Sequence, residues 1–279
     1  MHDERVEPGP SLAAVVESLR LLRAPPTFVD RPPTLRGVAF RPGRGDSGHA
    51  LADVWLPATP TTGASVLLVH GGGFVLGSRS MKPMRLVASR LVEAGVAVAS
   101  VDYRLALRGG RLGSMVQEVG AALDWWRAQA PEHGLDPDAV TLAGASAGAA
   151  LAWLACAAAP APPARLVALY GVYDLRYLGR GKAALLGRLV AGTRDAEALY
   201  ALSPLSAPPL ALPVLMVHGT ADRLVPYAQS EQLCRARLGA GLPTELLTCE
   251  GEPHGFLNDA SRPASGAVVD AVLRFATSG

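Results

Sequence analysis

Residues 140–154 read VTLAGASAGAALAWL, and the change of character at Ser146 decides the fold. Before the serine, residues 140–143 are a short apolar run of the kind found in strands buried on both faces. After it, residues 147–159 are rich in Ala and apolar throughout, a helical segment that ends against Pro160. Gly144-Ala145-Ser146-Ala147-Gly148 joins the two. A strand feeding a helix through so tight a turn strains the backbone at its centre and points the central side chain off the sheet. Only small neighbours fit around it. Ser146 also stands at the helix N-terminus, where free N–H groups and the helix dipole favour developing negative charge.

Outward from this turn the same rhythm repeats. Residues 66–70 (VLLVH), 96–101 (VAVASV), 166–170 (LVALY), 214–218 (VLMVH) and 244–249 (TELLTC) read as further strands. Residues 84–94, 115–130, 227–239 and 267–276 carry helical periodicity between them. Strands alternating with helices predict an α/β fold, with a mostly parallel central sheet covered by helices on both faces. Residues 50–56 alternate like an edge strand, after a turn-rich segment at 42–48. Near the start, Leu12, Val15, Val16, Leu19 and Leu22 recur at helical spacing, and Pro25, Pro26, Pro32 and Pro33 then impose an extended crossing. Residues 1–35 are therefore expected to form an N-terminal cap segment on a single domain spanning 1–279. Residues 175–208 are the one long section without a strand. Their helical patches, 183–190 and 195–202, suggest an insertion above the sheet, either a lid or a connecting helix pair.

Composition excludes several classes. With 26 Lys and Arg against 24 Asp and Glu, the formal charge is +2. That balance removes the electrostatic reason to expect nucleic acid or an anionic membrane as a partner. Gly and Pro make up about a fifth of the chain, below the roughly 25–30% of low-complexity sequence. Cys156, Cys234 and Cys249 are scattered and form no CxxC pair, so neither a disulfide framework nor a zinc site is expected. The longest apolar stretch, 147–159, is shorter than the ~20 residues that span a bilayer. The opening MHDERVEPGP lacks the apolar run of a secretory signal. A globular, cytoplasmic protein is expected.

The serine needs a base, and a base needs an orienting acid. Of the six histidines, His2 and His49 precede the sheet, His133 sits in a helix-to-strand turn, and His70 and His218 close strands beside glycines. His254, in Glu252-Pro253-His254-Gly255-Phe256, follows a late strand on a loop and lies beyond a suitable acid, Asp222. Ser146, Asp222 and His254 all fall just past the C-terminal ends of strands, the edge where sites assemble in open α/β sheets. Glu250, Glu252 and Asp259 are alternative acids. His70-Gly71-Gly72-Gly73-Phe74 follows another strand. Three consecutive glycines suit a backbone that must approach something closely, such as an oxyanion held by main-chain N–H groups. A phosphate cradle is the other reading, but the GK[ST] or spaced GxGxxG pattern is missing.

HGGGF, DYRLA at 102–106, GASAG, HGTAD and HGF, in that order between residues 70 and 256, resemble the α/β-hydrolase fold. Within it they are most similar to the hormone-sensitive-lipase-like carboxylesterases. The resemblance implies Ser146 as nucleophile, Asp222 as acid and His254 as base. It implies an oxyanion hole from the N–H groups of Gly72, Gly73 and Ala147, with Gly71 shaping the loop. Asp102 and Arg104 would brace that loop by pairing near the site. The segment before the first strand is shorter than the family's two-helix cap, and the compact body also resembles feruloyl and acetyl esterases and kynurenine formamidase.

The expected function is a serine carboxylesterase that cleaves small, fairly apolar esters through an acyl-enzyme, with no metal or organic cofactor. The partner is a small-molecule ester, and a homodimer is open. Amide, formamide or carbohydrate-acetate hydrolysis would use the same residues. A cyclase, dehydratase or receptor on this fold is the third reading. Trp125 and Trp126 are expected to give the core at least one indole. Phe74, Phe256, Tyr170, Tyr173 and Tyr177 are candidates for pocket walls.

Overall fold

In a computed structural model, which describes residues 12–41, 50–59, 62–179 and 183–278, the apolar runs assemble into one sheet of eight strands. His2, His49, the turn-rich 42–48 segment and the opening of the cap segment lie outside the described residues. The strands are β1 (Leu35–Ala39), β2 (Leu51–Trp55), β3 (Ser65–Val69), β4 (Ala97–Val101), β5 (Val140–Ala145), β6 (Arg165–Leu169), β7 (Val214–Gly219) and β8 (Thr244–Cys249). Their spatial order is β1-β2-β4-β3-β5-β6-β7-β8. The two pairings of β2 are antiparallel and all the others are parallel.

The strand at 50–56 was expected at an edge, but β1 pairs along its outer side. Gly37 explains why β1 escapes the period-2 pattern. It sits at φ 63°, the register shifts between Leu35 and Val38, and the Gly37 N–H donates to the Asp53 carboxylate at 2.9 Å. Such a bulge breaks the alternation by which a strand is read.

The helices are α1 (Leu12–Arg23), α2 (Lys82–Glu93), α3 (Leu112–Gln129), α4 (Ala147–Ala158), α5 (Ala184–Ala191), α6 (Ala196–Ala201), α7 (Tyr227–Gly239) and α8 (Pro263–Thr277). Strand side chains alternate between two cores, as the pleat requires. Leu67 and Val69 of β3 meet residues of α3 and α4, whereas Val66 and Leu68 face residues of α2 and α8. Every position of β3, β4, β5 and β7 is buried, which is why these segments read as near-continuous apolar runs. Trp126 is fully buried and donates its indole N–H to Ser65 Oγ at 3.0 Å, while Trp125 stays partly exposed.

The parallel register delivers the site. Val69 lies opposite Gly144, and Ala145 opposite Leu169, so the segments opening at His70, Ser146 and Tyr170 leave the sheet side by side. Asp222 and His254 follow from the same ends of β7 and β8.

Candidate active site

Ser146 occupies the junction of β5 and α4 at φ 54°, ψ −118°. This lies outside the regions open to an L-residue, and such a residue costs about 1–3 kcal/mol that its surroundings must offset. Its N–H donates to Leu169 O at 2.8 Å. Close backbone packing does the rest. A Cβ on Gly148 would lie 2.3 Å from Val69 O, and one on Gly71 would lie 3.2 Å from the Ser146 Cβ, so both loops press on the turn only because these residues lack side chains.

The three residues named from sequence stand in a hydrogen-bonded line. Ser146 Oγ is 2.9 Å from His254 Nε2, and His254 Nδ1 is 2.6 Å from Asp222 Oδ2. An ionised carboxylate only accepts, so Nδ1 carries the proton and Nε2 is free to accept from the serine hydroxyl. The Asp222 side chain is fully buried. Its Oδ1 accepts the N–H groups of Leu224 at 2.9 Å and Val225 at 2.8 Å. Burial opposes its charge, but attraction to His254 and hydrogen bonds from His218 and His254 outweigh burial and hold the carboxyl well below the usual range. Tyr170 packs edge-on against the His254 ring at 5.2 Å. The alternative acids have other partners: Glu250 meets Thr220, Glu252 meets Arg262, and Asp259 meets Thr27 and Ser261.

The glycine loop lies on the other side of Ser146. Gly72 O accepts from Val75 and Leu76, while no backbone carbonyl among the described residues takes the N–H groups of Gly72, Gly73 or Ala147. His70 is buried and donates Nδ1–H to Gly71 O at 2.7 Å, and Tyr103 stacks on its ring at 4.3 Å. Burial holds His70 below the ordinary histidine value, against the Gly71 hydrogen bond and Asp102. Asp102 does not pair with Arg104. It receives the Arg79 backbone N–H at 2.7 Å and the Arg79 guanidinium, which also reaches Asp53 at 2.8 Å. Arg104 instead gives its N–H to Glu118 at 2.6 Å. Sequence reading missed Arg79 because its two acids lie on β2 and just past β4, distant in the chain.

Ser146 and His254 open into a cavity of about 560 Å³, within the range of small-molecule sites. Val15, Leu19 and Leu22 of α1 form one wall, and Leu186 of α5 contributes to another. Phe74, Tyr170 and Tyr177 line it as well. Tyr173 packs instead on Trp153, and Phe256 on Tyr170. Among the described residues no Asp, Glu, Lys or Arg lines the cavity. Nor does any group of three or more His, Cys, Asp or Glu among them stand together as a metal site needs. None of the described helices is long and apolar enough to cross a membrane.

A family model for the alpha/beta hydrolase fold matches residues 66–258, and the chain belongs to that family. Among curated proteins, it is 31% identical over 260 residues to esterase LipC of Mycobacterium tuberculosis, covering 83% of this chain and 62% of LipC. It is 30% identical over 264 residues to esterase LipQ of the same organism, covering 85% of this chain and 61% of LipQ. The chain thus spans about three-fifths of the length of these relatives. Among solved structures, esterase B of Lactobacillus rhamnosis superposes with a TM-score of 0.76 at 20% identity, covering 95% of this chain and 90% of that one. At that identity the likeness speaks for the fold, in which the sheet and its flanking helices agree with the expectation from sequence.

Proposed function

We propose that the protein is a serine carboxylesterase acting on small, fairly apolar esters. The observation that carries this reading is the line Ser146–His254–Asp222, with contacts of 2.9 and 2.6 Å, opening into an apolar cavity. Ser146 Oγ attacks the ester carbonyl while His254 Nε2 takes its proton. The developing oxyanion rests on the N–H groups of Gly72, Gly73 and Ala147. Asp222 keeps the proton on Nδ1 and stabilises the imidazolium. His254 then gives its proton to the departing alkoxide, and water repeats the cycle on the acyl-enzyme.

An uncharged lining suits a neutral ester, because a charged substrate would lose its hydration without a partner. The names of the curated relatives, esterases LipC and LipQ, accord with ester chemistry. On this reading residues 1–35 cap the pocket through α1, and residues 175–208 act as a lid through Tyr177, Leu178 and Leu186. A cytoplasmic setting belongs to the same proposal. The test is turnover of p-nitrophenyl acetate and butyrate, with labelling by a fluorophosphonate serine probe. Turnover and labelling that vanish in Ser146→Ala support the reading. No turnover, or turnover that survives the substitution, sinks it.

A further inference from the structure

Asp222 Oδ2 is shared by two imidazoles. Besides His254 at 2.6 Å, His218 Nε2 lies 3.1 Å away. His218 sits near the end of β7, four residues before the acid, and its side chain is wholly buried. Its Nε2 also lies 3.0 Å from Val225 O. A carbonyl and a carboxylate can only accept, so Nε2 carries a hydrogen. Ser230 Oγ of α7, 2.6 Å from Nδ1, hydrogen-bonds the other side of the ring. The ring is therefore held from both ends, and His218 stands as an Nε2–H donor aimed at the acid.

We infer that His218 is a positioning residue of the serine hydrolase: its Nε2–H, held by Val225 and Ser230, shares Asp222 Oδ2 with His254 and limits how strongly the carboxylate draws the His254 proton. The inference rests on the triad reading above. A residue that merely closed a strand would need neither a hydrogen on Nε2 aimed at the acid nor a side-chain partner at Nδ1. Each donor on a carboxylate oxygen spreads its charge and weakens it as an acceptor for the others. With His218 in place, the imidazolium of His254 is stabilised enough to form but releases its proton readily to the leaving group. Without it, Oδ2 serves His254 alone, and the resting imidazole becomes a stronger base that is protonated at higher pH.

The surrounding groups leave this trio to set the pH response. Tyr227 of α7 meets the His218 ring edge-on at 5.9 Å, and Tyr173 adjoins Ser230, with Cys234 one turn further along α7. Tyr170 and Tyr177 lie on the Asp222 side, and Arg223 of the same loop is exposed. Burial pushes the hydroxyls of Tyr170, Tyr173 and Tyr177 and the Cys234 thiol up, away from neutral pH.

The experiment compares the whole protein with His218→Phe, which keeps a ring but no N–H, and His218→Gln, whose amide N–H reaches the Nε2 position. Activity is read as kcat/KM for p-nitrophenyl acetate across pH 5 to 9. In His218→Phe the acid limb is expected to move up by about half a unit or more, reporting the free enzyme's base. The plateau is expected to fall about 10- to 100-fold, the span of one hydrogen bond to a charged group. His218→Gln is expected to restore the limb. A folded His218→Phe whose acid limb stays put or moves down overturns the inference, whatever its plateau, since loosened packing alone lowers rates without moving the limb upward. Should His218→Phe fail to fold, ¹⁵N-histidine NMR of the wild type decides. His218 as the Nε2–H tautomer from pH 6 to 8 supports the inference, and the Nδ1–H tautomer overturns it. Absence of Ser146-dependent turnover in the wild type would instead sink the esterase reading and leave the tautomer result standing.

Discussion

Replacing Asp222 by Asn tests the site most sharply, because the structure dictates which way the amide must turn. Oδ1 accepts two backbone N–H groups, from Leu224 and Val225. The amide oxygen must take that place, since backbone N–H groups cannot give up their hydrogens, whereas the His254 ring facing the Oδ2 place can move its proton. The NH2 then occupies the Oδ2 place, where it opposes the His218 Nε2–H, which keeps only Val225 O, and can donate to His254 Nδ1 alone. To accept, His254 must move its proton to Nε2, which then donates to Ser146 Oγ instead of accepting from it. With the tautomer reversed, kcat should fall by about 10⁴-fold, the loss seen when an aspartate of this kind becomes asparagine with its geometry kept. Stability should fall too. Two hydrogen bonds to a charged acceptor, about 1.5–3 kcal/mol each, are lost. Burying a neutral amide in place of a carboxylate returns part of that, leaving a net cost of about 2–4 kcal/mol. For a chain of this length that lowers Tm by about 4–8 °C. The assays are kcat on p-nitrophenyl butyrate, thermal unfolding and ¹⁵N-histidine NMR. A variant within tenfold of wild-type kcat, with His254 still protonated on Nδ1, would refute the tautomer argument.

Three further outcomes follow from single features of the structure. Gly148→Ala puts a Cβ 2.3 Å from Val69 O, so α4 and β3 must part by about 1 Å. Tm should drop by several degrees and kcat with it, and a variant as stable and active as wild type would contradict the close approach. Asp222 is held below its unfolded value, so it adds stability above about pH 4, where the unfolded carboxyl is ionised, and that contribution is lost as pH falls through the folded-state value. Unfolding free energies measured from pH 5 down to 2.5 should therefore fall more steeply for wild type than for Asp222→Asn, and equal slopes would count against the charged, buried acid. All three cysteines are buried, and burial pushes the Cys156 thiol up to about 12 and that of Cys249 up to about 11. Ellman's reagent at pH 8 should find no reactive thiol until denaturant is added.

What could be read from the chain was what short-range chemistry writes into it. Strands β3 to β7 were legible because burial on both faces leaves few polar interruptions. The turn at Ser146 was legible because a strained strand-to-helix junction tolerates only Gly and Ala beside it. The β1 strand was not, because its pairing depends on a bulge at Gly37 and on Asp53, a residue of β2. His218 was passed over for a related reason. Its spacing from Asp222 was visible, but the groups that hold its ring come from Val225 and Ser230, and only the fold shows them to converge. Arg79 likewise gains meaning only when β2 and β4 pair and bring Asp53 and Asp102 together.

Two different kinds of support meet at Ser146. On the side of the glycine loop and of β3, backbone lies against backbone, and precision comes from the absence of side chains at Gly71 and Gly148. On the histidine side it comes from hydrogen bonds that run from Ser230 through His218, Asp222 and His254 to the serine. Substitutions on the first side should act through geometry, lowering stability and kcat together while leaving the pH profile in place. Substitutions on the second should move the pH profile, because each donor or acceptor removed changes the proton affinity of its neighbour. The two classes therefore separate in a plot of acid-limb shift against Tm change. A Gly148→Ala variant that moved the acid limb, or a His218→Phe variant that lost only stability, would show the division to be false.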